Sequence, residues 1–222
     1  MAEKYILTHD LGTSSNKAVL FTVHGKLAGE CRQEYSVYYP QPGYAEQDAY
    51  DWWRAVCDTT RAVLRDTGVN PQDIAGITFA SQMQTVVAVD RDGEPVMPAI
   101  SWLDTRAADI MREKLWTWPR VQGYNIFKLF NFLHITGGAP GHAGKDPLGK
   151  ILWLKVHRPD LFAATHKFLD AKDFIVHQMT GRFVKSADMA VVWWLLDTRK
   201  NRNHWHPGLC RLAGVEIGRA PV

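Results

Sequence analysis

The chain has 222 residues, 46% of them hydrophobic, and a formal net charge of +3 from 26 basic and 23 acidic side chains. That supports one large or two small domains, and so balanced a charge excludes a polybasic nucleic-acid or membrane surface as the basis of function. Cys31, Cys57 and Cys210 are odd in number and form no C-x-x-C, which excludes a disulfide framework and points to a reduced, cytoplasmic setting. No apolar run is long enough to span a bilayer, and no basic segment leads into an apolar run at the N-terminus.

The first readable unit is Tyr5 to Phe21. Tyr5 to Leu7 and Ala18 to Phe21 are apolar and rich in strand formers, and Gly12-Thr13-Ser14-Ser15-Asn16 between them is turn composition. A small polar turn leaves backbone N–H groups for an oxyanion, so Gly12, Thr13, Ser14 and Ser15 are candidate phosphate-binding residues. Asp10 beside them repels phosphate unless a cation lies between. Mg²⁺, which binds through one or two carboxylates plus phosphate oxygens, would satisfy both. An ordinary β-hairpin with a capped turn is the plain alternative.

His24-Gly25-Lys26 forms the next turn, and Leu27 to Val37 forms a third antiparallel strand. A helix follows with apolar positions at Trp52, Trp53, Val56, Ala62, Val63 and Leu64, capped by Asp48 or Asp51 and stopped by Gly68. Ile74 to Phe79 and Thr85 to Asp90 read as two more strands. Gln82, Met83 and Gln84 lie between them, at a strand end from which side chains project into a cleft. Further helices are expected around Ala108 to Leu115, from Lys150 to before Pro159, over Asp173 to Met179, and over His206 to Ala213. The pattern degrades around 116–147, which reads as a loop-rich insertion.

Asp-Leu-Gly-Thr-Ser-Ser followed by Lys-Ala-Val-Leu-Phe resembles the first phosphate loop of the actin-like ATPase superfamily. More narrowly it is similar to the FGGY sugar kinases, which include glycerol kinase and xylulokinase. Gln82-Met83-Gln84 is near the xylulokinase Gln-Met-His, with glutamine in place of histidine, and Ile100-Ser101-Trp102-Leu103-Asp104-Thr105-Arg106 matches the family's substrate tryptophan. Lys150-Ile151-Leu152-Trp153 and Leu169-Asp170-Ala171-Lys172-Asp173 fit family segments, the former partially, with Lys145 replacing an aromatic or small residue.

The resemblance implies a ribonuclease-H-like α/β domain of the actin-like ATPase superfamily, with a mixed sheet flanked by helices. It implies a single N-terminal sugar-binding domain over 1–222, with the C-terminal nucleotide-binding domain absent. The implied cofactors are ATP and Mg²⁺, with Asp10 on the metal, and the implied substrate is a sugar, most simply a ketopentose. Gln82, Met83, Gln84, Trp102 and Asp104 would contact that sugar. The family's catalytic base is an aspartate in a Gly-Asp motif, and it would come after Val222, so no catalytic residue is expected in this chain. A non-catalytic sugar- or partner-binding module that keeps the same fold is the alternative, and a homodimer or a missing C-terminal half would cover the face left open. His204-Trp205-His206 lacks a carboxylate or thiol for a metal site, and Arg199-Lys200-Asn201-Arg202 reads as a solvated loop.

Overall fold

The computed structural model describes residues 3–214. Met1, Ala2 and Val215 to Val222 lie outside the described residues. The chain divides into two compact units, Met1–Val37 with Gln47–Gln82 and Tyr38–Glu46 with Met83–Val222.

The first unit is a sheet with one helix. Strands β1 (Tyr5–Leu11), β2 (Ser15–Thr22) and β3 (Leu27–Glu34) precede the two-residue β4 (Glu46–Gln47), of which only Gln47 belongs to this unit, then helix α1 (Ala49–Thr67) and strand β5 (Ile74–Ser81). The sheet order is β3-β2-β1-β5, with β1 antiparallel to β2 and parallel to β5. The period of two along β1 buries Leu7, His9 and Leu11 on one face and leaves Ile6 and Asp10 exposed on the other. Helix α1 buries Trp52, Ala55, Val56, Thr59 and Val63, a stripe at helical spacing. Asp48 accepts from the Tyr50 N–H to start it, and left-handed Gly68 ends it. Gly29 on β3 has no room for a side chain, because a Cβ there would meet Thr67 Cγ2 at 2.4 Å.

The second unit is mostly helical. Its elements are β6 (Val87–Val89), β7 (Ala99–Ile100), α2 (Ala108–Ile110), β8 (Arg120–Val121), β9 (Tyr124–Asn125), α3 (Ile126–Thr136), α4 (Pro147–His157), α5 (Pro159–Ala164), β10 (Lys167–Leu169), α6 (Ala171–Thr180), α7 (Ala187–Val191), β11 (Leu196–Asp197), β12 (His204–Trp205) and α8 (Pro207–Ala213). β10 pairs antiparallel with β6. The core includes Trp116, Phe132, Leu148, Ile151, Phe168 and Trp193.

The segment around 116–147, expected to be loop-rich, contains the eleven-residue helix α3. Asn125 caps it by accepting from the Lys128 N–H at 3.0 Å, and left-handed Gly137 closes it. Its apolar residues do not form one stripe: Phe132 and Ile135 are buried while Phe127 and Phe130 stand about 70% exposed. That mixture erased the period of 3.6 on which a helix is read from sequence.

Candidate functional site

The predicted residues fall in both units. Asp10, Gly12 to Ser15 and Gln82 belong to the first, and Met83, Gln84, Trp102 and Asp104 to the second.

In the first unit, Asp10 is the penultimate residue of β1, which turns after Leu11 through Gly12 to Ser14 into β2 at Ser15. The Gly12 N–H closes the turn onto the Ser15 carbonyl at 2.9 Å, so that donor is already engaged. Tyr35 donates its hydroxyl to the Gly12 carbonyl at 2.6 Å. Burial, with the Asp10 charge adding to it, pushes the Tyr35 phenol up and keeps it protonated as a donor. Gln47 steadies the far side by donating to the Thr13 carbonyl at 2.9 Å, and Gln82 in turn donates to Gln47 Oε1 at 2.9 Å. Thus Gln82, expected to face a ligand, is buried and acts as a brace on the turn. The bond from Gln47 to a carbonyl 34 residues away carries no local signal in the sequence.

The Asp10 carboxylate is exposed and has no ion pair or side-chain hydrogen bond among the described residues. A single free carboxylate beside a polar turn fits a hydrated Mg²⁺, which needs few protein ligands.

Beneath the turn, Asn16 Nδ2 lies 3.1 Å from His9 Nδ1 and 2.8 Å from Thr59 Oγ1. Burial pulls His9 down to about 4, against the bond to Asn16, so the ring is neutral at pH 7.

In the second unit Met83 is 53% exposed and Gln84 adopts the left-handed region with φ of 62°. The Gln84 carbonyl accepts from Lys150 Nζ at 2.5 Å, and its amide donates to Asp146 Oδ1 at 3.1 Å. Trp194 Nε1 donates to the same oxygen at 2.7 Å, and the Gly141 N–H to Asp146 Oδ2 at 2.8 Å. Lys150 is fully buried. Burial pulls its ammonium down to about 7, with the Asp104, Asp146 and Asp170 charges opposing. Lys145, which precedes Asp146 in the chain, holds its ammonium 5.7 Å from the centroid of the half-buried Trp102 ring and has no carboxylate partner among the described residues.

Asp104 is fully buried and occupied by the chain itself. It accepts from the Ala45 N–H at 2.7 Å and the Arg106 N–H at 2.9 Å, and it pairs with the Arg106 guanidinium. Arg106 also reaches Glu46 and lies over the Tyr44 and Trp153 rings. A carboxylate so filled has little acceptor capacity left for a sugar hydroxyl. A second buried cluster joins Lys185 to Asp170 and Asp173, with the Trp193 indole donating to Asp170 at 2.8 Å. A cavity of about 330 Å³ beside Lys185 is lined by Ala187, Asn203 and Trp205 and by no residue predicted for the site.

The profile described as the FGGY family of carbohydrate kinases, N-terminal domain, matches residues 5–218. This chain belongs to that family. A xylulose kinase from Bacillus subtilis (strain 168) is 30% identical over 222 residues, covering 98% of this chain and 41% of its own length. A gluconokinase from the same strain is 28% identical over 215 residues, covering 95% of this chain and 38% of its own. The crystal structure of gluconate kinase from Lactobacillus acidophilus superposes with a TM-score of 0.85 at 24% identity, covering 99% of this chain and 42% of that one. The FGGY chain described here therefore spans about two fifths of the length of these relatives. Its fold is the actin-like ATPase α/β fold, a mixed sheet flanked by helices. Among the described residues no helix is long and apolar enough to cross a membrane.

Proposed function

We propose that this chain is the sugar-binding half of an ATP-dependent carbohydrate kinase acting on a hydroxyl of a ketopentose. The observation that carries it is the Met83-Gln84 corner, where an exposed thioether adjoins an amide held by Asp146 and a backbone held by Lys150. Holding an uncapped polar corner this rigidly suits recognition of a small hydroxyl-rich ligand. The likeness to a xylulose kinase along nearly the whole chain supports the substrate class.

In this reading Met83 and the Trp102 indole cover the C–H faces of the sugar, and Gln84 bonds a hydroxyl. Gln82 serves by bracing the phosphate-side turn through Gln47. Asp104 serves by fixing Arg106, and contributes to the sugar only through that order. Asp10 holds Mg²⁺ through water, while the N–H groups and hydroxyls of Thr13, Ser14 and Ser15, with Gly12 keeping the turn narrow, steady phosphate. MgATP supplies the phosphoryl group and the charge neutralisation that such transfer requires. The general base that takes the hydroxyl proton lies outside these residues, so this chain alone is expected to bind sugar and not to turn it over.

Calorimetry of the 222-residue chain with D-xylulose, L-ribulose, L-xylulose, gluconate and glycerol tests this. Preferential binding of a ketopentose is expected. Preferential binding of gluconate or glycerol would overturn the substrate class, and ADP production by the pure chain above a blank would overturn the division of labour.

A further inference from the structure

Asp146 stands at the N-cap of α4, where an aspartate ordinarily accepts from the N–H groups of the first turn, yet its side chain makes no such bond. Its carboxylate is turned instead to Gln84, Trp194 and Gly141, three donors from three separate parts of the second unit. Forgoing a cap worth about 1 kcal/mol calls for a return elsewhere.

The three contacts also decide which way round the Gln84 amide sits. The Trp194 indole can only donate, so the oxygen it meets is an acceptor, and a glutamine facing that same oxygen must present its NH₂. The amide oxygen is then on the side away from Asp146. Lys150 fixes the other end of the residue through the Gln84 carbonyl, in a left-handed conformation that non-glycine residues seldom take. Backbone and side chain of Gln84 are therefore both pinned, and Asp146 itself, 6% exposed, is too buried to reach a ligand.

We propose that Asp146 is a positioning residue that locks the Gln84 amide, so that Gln84 turns its amide oxygen, a hydrogen-bond acceptor, toward the ligand. The ligand group that meets that oxygen must then be a donor, such as a sugar hydroxyl, and a carboxylate is disfavoured against it. The proposal rests on the reading above, that Gln84 faces the sugar.

The first arm of the test needs no sugar. In ¹H–¹⁵N spectra of the full chain, with the Gln84 side-chain NH₂ identified by its loss in Gln84→Met, the proton bonded to Asp146 is expected well away from its free-glutamine position. It should move to the free position in Asp146→Ala, or in Asp146→Asn should the alanine variant not fold, because asparagine offers one acceptor oxygen to three donors. A free position for that proton already present in the unmodified chain would overturn the lock.

The second arm titrates D-xylulose and L-ribulose by calorimetry. Gln84→Met and Asp146→Ala are each expected to weaken binding roughly tenfold, as for one lost hydrogen bond to a neutral partner. The double variant should be no weaker than either single one, because the two act through one contact. Additive losses of roughly a hundredfold would show that Asp146 acts independently of Gln84, overturning the proposal. Should the unmodified chain bind neither sugar, the kinase reading fails, and the amide signals still decide whether Asp146 holds Gln84.

Discussion

The phosphate-side turn of the first unit and the Gln84 corner of the second are held in place by different means. The turn is braced by neutral groups, Tyr35 on Gly12 and the Gln82–Gln47 pair on Thr13, leaving Asp10 as an exposed charge without a partner among the described residues. The corner is braced by buried charges, Asp146 and Lys150, within a unit that also buries Asp104 with Arg106 and Lys185 with Asp170 and Asp173. A neutral frame keeps a nearby carboxylate available for a cation. A charged frame fixes the orientation of an amide, but makes the unit sensitive to the loss of any one partner.

The largest effect expected from that contrast is in the second unit. Lys185→Met leaves Asp170 and Asp173 facing each other with no cation, and Asp170 is already pushed above the usual carboxylate range by burial. Removing one member of a buried pair costs about 3–5 kcal/mol, read by denaturant unfolding. A loss below about 1 kcal/mol would mean that the charged frame is dispensable.

The next effect is in pH. His9 titrates near 4 in the folded protein and near 6.5 unfolded, so the unfolded chain binds more protons between these values. Stability is therefore present in full above pH 6.5 and falls by roughly 3 kcal/mol toward pH 4. His9→Gln should flatten that slope in urea unfolding. Lys150 works in another window, since burial pulls it from 10.5 to about 7, and the unfolded chain again binds the extra proton. Stability should rise between pH 7 and 10.5, and Lys150→Met should remove that rise. An unchanged pH profile in either variant would place the titration elsewhere.

The smallest effect is local to the first unit. Asp48→Ala removes the acceptor for the Tyr50 N–H and should cost about 1 kcal/mol of stability, with little change in sugar binding.

The first unit was legible because its signals are local. The apolar strand formers at Tyr5 to Leu7, the turn at Gly12 to Ser15, Asp48 at the helix start and Gly68 at its end all lie within a few residues of what they determine. The charged frame was not legible. Asp146 and Gln84 are 62 residues apart, and Lys150 meets the Gln84 carbonyl across 66. Charged residues in isolation read as surface, so only the fold shows Asp104 closed on Arg106 and Lys185 under Trp193. Helix α3 was hidden for a different reason: Phe127 and Phe130 are exposed where a helical stripe would be polar, and only Asn125 and Gly137 marked its ends.

The most direct test of the account measures sugar affinity in the 222-residue chain, unmodified and as Trp102→Ala and Asp10→Asn, by titration with the ketopentose that binds best. Trp102→Ala is expected to weaken binding roughly tenfold or more, because the indole carries apolar contact with the sugar. Asp10→Asn is expected to leave affinity within about twofold, because its role is to hold a cation rather than the sugar. The opposite pattern, with Asp10→Asn losing the sugar and Trp102→Ala keeping it, would contradict the assignment of sugar recognition to the second unit.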